Sequence, residues 1–517
     1  MRKSILVVVL IPLVVFALAG VSQAWQGRMD GMGDPYGLTS DESDFLIHPS
    51  KIAHGEGVSF YGNYRFLYTG VTDWDYDLDL FELSPFALLE NHHFETSGQE
   101  YSHNAPLGTS FPLGPGRMGL FFEYEGERGN YNGIEDILGV PSFGVNDLTS
   151  EFDNFALRLL YGLPVGSFKL GGDVQFAYRH EENEALYYRT DGYALWKNAF
   201  WNGLFADENL FIFMLPFDSR YWEALFKGAL EGKVGPVDVD LTIRWGFLFG
   251  GDNTYEYERQ EPIGTPDDRF VLDGNVEGWR IGGDLWLRSL LEKNLFLPFL
   301  VRMDFQEKTR DGEGPGQLGF LDDNFTYESK EQSLHLATGG GVDKELSSTT
   351  KIAAGIYYNY FQEKKDIEVR WYQLGVILLN YGYSDFPDST EHQIMLKLAG
   401  EFELSPVVTL RMGLVPFYGW VEENFKYAYH TTANSYIQTD NVSVNGYHWG
   451  VGVSVGGSVK SRHLPLEPFI TAGYEERAMD GEGIYYDSLP RTRLYVMDLI
   501  RREWSIGGGC SILFDLL

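Results

Sequence analysis

Every second residue from Val237 to Phe249 is apolar: Val237, Val239, Leu241, Ile243, Trp245, Phe247 and Phe249. Asp238, Asp240, Thr242, Arg244, Gly246 and Leu248 stand between them. Successive side chains of a strand point to opposite faces, so this segment has one oily wall and one mostly polar wall. The pattern returns about a dozen times along the chain, and the oily row often turns aromatic at one end. Strands in soluble sandwiches run to about 5–6 residues. A strand crossing a bilayer at roughly 45° needs about 9–11, and that is the length here. The sequence therefore predicts an all-β fold, a transmembrane antiparallel β-barrel.

Short turns alternate with long polar stretches, as expected when one rim faces the periplasm and the other the outside. Leu163–Ser167, Gly232–Pro236, Glu292–Asn294, Leu346–Thr349, Leu404–Pro406 and Lys460–His463 read as short turns, and Pro115–Gly116 as another. Polar stretches near 73–105, 126–151, 181–220, 250–276 and 308–330 read as outer loops. Placing strands between them gives sixteen, from 57–71 and 105–114 through to 466–477 and 500–516, with fourteen as the alternative count. An outward Arg or Lys at membrane depth would cost roughly 2–4 kcal/mol. The charged rows must therefore face the lumen.

Arg2 and Lys3 precede an apolar run from Ile5 to Ala19 that leads to Ala24. This is the pattern of a secretory signal peptide, residues 1–24; an uncleaved anchor is the alternative. Losing Arg2 and Lys3 with it leaves 38 basic residues against 74 acidic ones, a formal charge of −36. Nucleic acid is excluded as a partner, because phosphate binding needs a basic footprint. The expected surroundings are the outer membrane of a Gram-negative bacterium, with its lipid and lipopolysaccharide, the latter bridged to acidic loops by divalent cations. Cys510 is the single cysteine, so neither a disulfide framework nor a thiolate metal site is expected. It falls on the apolar row of the last strand, where Trp504, Ile506, Ile512, Phe514 and Leu516 form a terminal pattern like that read by barrel-assembly machinery. That signal usually ends on an aromatic residue, whereas this chain ends Leu516-Leu517.

Residues 25–56 do not alternate, and the barrel is read as 57–517. The stretch Gly37 to Ser43 is acidic and leads into His48-Pro49-Ser50-Lys51-Ile52-Ala53. This resembles the N-terminal segment of the long-chain fatty-acid transporter superfamily, where an Asn-Pro-Ala-Gly-Leu-Ala-like motif precedes strand one. His here replaces Asn, Ser replaces Ala and Lys replaces Gly. The resemblance implies a hatch or plug inside the barrel, with Asp41, Asp44, His48, Pro49 and Ile52 as its residues, and passage of hydrophobic solutes. It also implies fourteen strands. The alternative is a periplasmic tail that merely starts the first strand.

Arg65, Arg158, Arg179, Arg244, Arg288, Arg302, Lys397 and Arg411 are expected to line the lumen. Asp173, Asp238, Asp240, Asp284, Asp304 and Glu401 accompany them. They could line a water-filled pore, or pair with one another and with the plug to stiffen a closed one; mixed signs argue against strong ion selectivity. In the loop around 191–216, Trp196, Phe200, Trp201, Phe205, Phe211 and Phe213 form an apolar patch that needs a partner. It reads either as a collector of hydrophobic solute or as an inward constriction. Asp73, Asp75, Asp77 and Asp79 alternate and could hold Ca²⁺ through oxygen ligands, or form a solvated acidic loop. No cofactor and no other metal is expected. Enzymatic motifs are missing from the sequence, although His335 and His448 would be the histidines to test in an esterase. The expectation is a channel for small hydrophobic or amphipathic solutes. A polar porin and a closed structural barrel with a periplasmic partner are the alternatives.

Overall fold

The computed structural model describes residues 32, 38–39, 42–55, 57–82, 89–137, 140–189, 217–259, 268–318, 321–373, 380–385, 388–431, 435–459, 466–486 and 492–516. After two short 3-10 turns, Glu42–Leu46 and Pro49–His54, the described chain is all strand. The strands are β1 Val58–Glu82, β2 Leu89–Asn104, β3 Leu107–Leu113, β4 Gly116–Ile137, β5 Val140–Val165 and β6 Phe168–Arg189. They continue as β7 Phe217–Val234, β8 Val237–Arg259, β9 Asp268–Glu292, β10 Leu295–Leu318, β11 Leu321–Ser347 and β12 Thr350–Gln373. The last are β13 Asn380–Asp385, β14 Asp388–Glu403, β15 Val408–Thr431, β16 Ser435–Val459, β17 Glu467–Tyr486 and β18 Thr492–Leu516.

Each strand pairs antiparallel with its neighbours, and β1 pairs with β18 from Val58↔Leu516 to Glu82↔Arg493, which closes the sheet. Both β2 and β3 pair with β1 and β4. Likewise β13 and β14 both pair with β12 and β15. Each couple is one interrupted strand, so sixteen strands go round the barrel. The first interruption falls at Ala105-Pro106, where Pro has no N–H for the ladder. Ala105 still exchanges backbone bonds with Tyr124, at 2.7 and 3.3 Å.

The two faces separate by sign of solvation. On β8, Leu241, Ile243, Trp245, Phe247 and Phe249 are exposed, while Asp240, Thr242, Arg244 and Leu248 are buried. Burial of the charged row and exposure of the oily one is the inverse of a soluble core, and it is what lipid outside requires. Toward the rim of long connections the outward row is aromatic (Trp222, Phe249, Trp279, Trp420, Trp449 and Trp504). Toward the other rim it is aliphatic (Leu113, Val165, Val234, Leu346 and Leu404). That second rim carries the tight turns, with Gly166 and Gly235 at φ 61° and 62°, a conformation that costs glycine nothing. Both ends of the barrel chain, Val58 and Leu516, meet at this rim.

The strands outrun the membrane. Residues 73–82, 126–137, 140–151 and 250–259, expected in loops, continue the ladders instead. At about 3.3 Å per residue and a tilt near 40°, the 25 residues of β1 reach roughly 60 Å, well beyond an apolar band of about 25 Å. Above the band no lipid demands an oily outer row, so most of these stretches read as polar while pairing persists. The backbone of the Asp73–Asp79 stretch lies in the β1 ladder with β18 and β2. The signal peptide, Asp41 and the apolar patch from Trp196 to Phe213 lie outside the described residues.

Candidate functional site

Residues 42–55 sit inside the cylinder. Pro49 starts the second 3-10 turn, and His48 N and Ile47 N both donate to the Asp44 carbonyl, at 2.6 and 2.9 Å. These tight turns compact the segment without a long helix. Its apolar side chains reach two parts of the wall. Phe45, Leu46 and Ile52 pack on Phe121 and Leu160, with Tyr61 alongside. Met32, Leu38 and Ile47 pack with Trp286, Leu300, Ala353 and Tyr357 across the lumen. Glycines on the wall make the close approach possible. A Cβ on Gly119 or Gly162 would meet Ile52, one on Gly171 the Ser50 backbone, one on Gly355 Leu38, and one on Gly413 the Met32 carbonyl. Those glycines lie on β4, β5, β6, β12 and β15, so the segment crosses the barrel rather than following one side.

Polar contacts fix the seat. The Leu46 carbonyl accepts from Arg158 at 2.6 Å and from Lys227 at 2.9 Å. Lys51 lies 3.0 Å from Asp44 and 3.2 Å from Asp240, all three buried. Burial opposes the Lys51 charge, but the two carboxylates prevail and hold its ammonium above the ordinary value. His48 Nδ1 is 2.6 Å from the Thr242 hydroxyl. Burial drives its imidazole down to about 3, with Lys51, Arg302 and Arg244 adding to the fall and Asp284 opposing it. Pro49 and Ile52 are buried in the same turn.

The wall charges pair on the inward face. Arg158 bonds Asp173 at 2.5 Å and Glu123 at 2.6 Å. Arg244 joins Asp284 and Asp304, and Arg302 reaches Asp284 at 2.5 Å, so these four form one network across β8, β9 and β10. Glu401 meets Arg411 at 2.8 Å, which also reaches Glu467. The remaining expected residues partner elsewhere: Arg179 with Glu223, Arg288 with Asp343, and Asp238 with Lys233. Lys397 lies 5.1 Å over the Tyr357 ring. Arg65 shares the face of Asn63, which accepts from Ser511.

Several site residues were not singled out in the sequence. Lys227, Glu223 and Glu123 share the inner row, and Lys51 links segment to wall. On β7 the inner face mixes Glu223 and Lys227 with buried Leu225 and Ala229, which blurs the alternation. Nearer the outer rim, Glu181 accepts from Lys308 at 2.6 Å and Arg310 at 2.5 Å, and Arg310 continues to Glu331. Glu181, Lys308 and Arg310 lie in stretches read as loops, and Glu331 falls just past one of them. His335 stacks on Phe361 at 4.2 Å. His448 stands between Glu391 and Glu475, so carboxylates flank it where an esterase would need a serine.

A cavity of about 340 Å³ opens at the tight-turn rim, lined by Lys51, His54, Lys169, Glu231, Asp240 and Arg288 among others. It lies where the segment leaves the wall.

No protein-family model and no curated protein matches the chain. Solved structures of hydrocarbon channels and transporters are similar over nearly its whole length. A mutant of the TodX monoaromatic hydrocarbon channel shares 13% identity, with 95% of this chain and 99% of that one covered and a TM-score of 0.41. A Pseudomonas aeruginosa FadL homologue shares 11%, with 96% and 100% covered and a TM-score of 0.40. The Ralstonia pickettii toluene transporter TbuX shares 11%, with 93% and 98% covered and a TM-score of 0.34. Likeness at this level carries no functional argument by itself.

Proposed function

We propose that the protein is a plugged outer-membrane channel that carries small hydrophobic or amphipathic solutes toward the periplasm of a Gram-negative cell. The observation behind this reading is the N-terminal segment lodged across the lumen on glycine-lined seats. A general porin keeps a standing water-filled path, whereas here a folded segment and paired charges occupy much of the bore. A purely structural barrel would have no use for a separately seated segment. The solute class is supported by the inner face of β12 to β15, where Tyr357, Phe361, Met395, Phe417 and Val421 add apolar surface between charged residues such as Glu391, Lys397 and the Glu401–Arg411 pair. An amphipathic solute could lay its apolar part on those side chains and keep its polar part toward the charges beside them. Its signal peptide would be cleaved after Ala24, and the apolar patch near Trp196 and Trp201 would collect solute at the outer mouth.

Deleting the gene should slow uptake of fatty acids or aromatic hydrocarbons while leaving uptake of small sugars unchanged. Equal loss of both would favour the polar-porin reading.

A further inference from the structure

His48 is an unusual choice for the centre of a plug seat. It is 1% exposed, and its Nδ1 contacts a neutral hydroxyl, that of Thr242, rather than a carboxylate. Charged groups face it from every side. Its own segment brings Lys51 and Asp44, and β8 brings Asp240 and Arg244. From β9 comes Asp284 and from β10 Arg302. Lys227 of β7 and Arg158 of β5 hold the neighbouring Leu46 carbonyl, with Asp173 of β6 beside both. Farther along the turn, His54 meets Glu231 of β7 and Lys169 of β6. The acids in this ring are already engaged: Asp44 and Asp240 with Lys51, Asp284 with Arg244 and Arg302. A proton on the imidazole would thus add a buried positive charge beside three cations, Lys51, Arg244 and Arg302, which already hold the described acids of this ring.

We propose that His48 is a proton switch on the seat, so that acid releases the lumenal segment and opens the barrel. The inference rests on the plugged-channel reading and adds its regulation. In the docked segment the imidazole is neutral and the Thr242 contact holds. Once the segment leaves the wall, water solvates the ring and it takes up a proton at its ordinary value. Proton uptake therefore pulls the equilibrium toward release. The sign follows from linkage: the docked value is depressed from 6.5 to about 3, so docking is unimpaired above roughly pH 7 and weakens as pH falls between those values. At pH 4.5 the docking equilibrium should be weakened about 100-fold.

The test is conductance of the full-length protein in planar bilayers between pH 7.5 and pH 4.5. Wild type should conduct little at pH 7.5 and open progressively on acidification. His48→Asn and His48→Gln, which keep a polar group toward Thr242 but cannot charge, should stay closed across the range. His54→Gln should keep the acid response. Gly171→Leu, which drives a side chain into the Ser50 backbone, should conduct at every pH. Heat-modifiable migration in gels confirms that each variant is a folded barrel. A wild type that stays flat while Gly171→Leu conducts overturns the switch alone. An unchanged acid response in both His48 variants does the same, as does its loss in His54→Gln. If Gly171→Leu conducts no more than wild type at pH 7.5, the plugged-channel reading falls and the switch falls with it.

Discussion

At the scale of single residues, side-chain direction decides everything. Ile243 and Arg244 are sequence neighbours, yet one is half exposed toward lipid and the other is buried in a four-membered charge network. Ile243→Lys should destabilise the barrel by about 2–4 kcal/mol, the cost of a lysine near the bilayer midplane, measured by denaturant unfolding from lipid vesicles. Inside, the cost has a different origin. Arg158 is shared by Asp173, Glu123 and the Leu46 carbonyl, and Asp173 is fully enclosed. Removing one partner of a buried pair strands the other, typically at about 3–5 kcal/mol. Arg158→Met should therefore lose about that much. The double variant Arg158→Met/Asp173→Asn should recover part of it, and a double variant no better than the single would show that pairing is not what matters there. These residues were legible in the sequence because each stands in a clean alternating run. Lys227 was not, since Leu225 and Ala229 share its inner row and hide the alternation.

Elements differ in how far their sequence betrays them. Within the oily band the strands declare themselves, and the tight turns around Gly166 and Gly235 mark their ends. Beyond the band no lipid demands an oily outer row, and the strands are harder to recognise; β1 keeps an alternation from Asp73 to Asp79, yet so acidic a stretch reads as readily as a loop. Glu181, Lys308 and Arg310 were missed because their stretches read as loops, and Glu331 because it falls just past the stretch 308–330. For the lumenal segment, the motif from His48 to Ala53 was visible by resemblance, but its contacts with Gly119, Gly162 and Gly171 could come only from the fold. One of its anchors yields a pH prediction of opposite sign to that for His48. The Lys51 ammonium is held above its ordinary 10.5 when docked. Its stabilisation is thus complete below that value and is lost as pH climbs through the docked one. Cysteine labelling at Ser50→Cys should accelerate above about pH 10.5, and Lys51→Met should label rapidly already at neutral pH. Equal, slow labelling of both proteins across that range would remove Lys51 from the seat.

The whole molecule is a tall cylinder whose two halves of lumen are unlike. From β5 to β10 long charged side chains interlock; from β12 to β15 aromatic and apolar side chains stand between charged ones such as Glu391 and the Glu401–Arg411 pair, and the N-terminal segment bridges the two. Closure and inward charge follow from the alternation, since lipid tolerates neither open edges nor exposed ions; the count of sixteen needs the turns as well, and fourteen stands beside it. Occupancy of the bore does not follow from the alternation, because a segment without periodicity can lie inside or hang outside with the same sequence. The most direct test is therefore single-channel conductance of the barrel with and without residues 25–53. The account predicts a small conductance for the intact chain and a several-fold larger, steady one after deletion. Equal conductances from two properly folded barrels would contradict it.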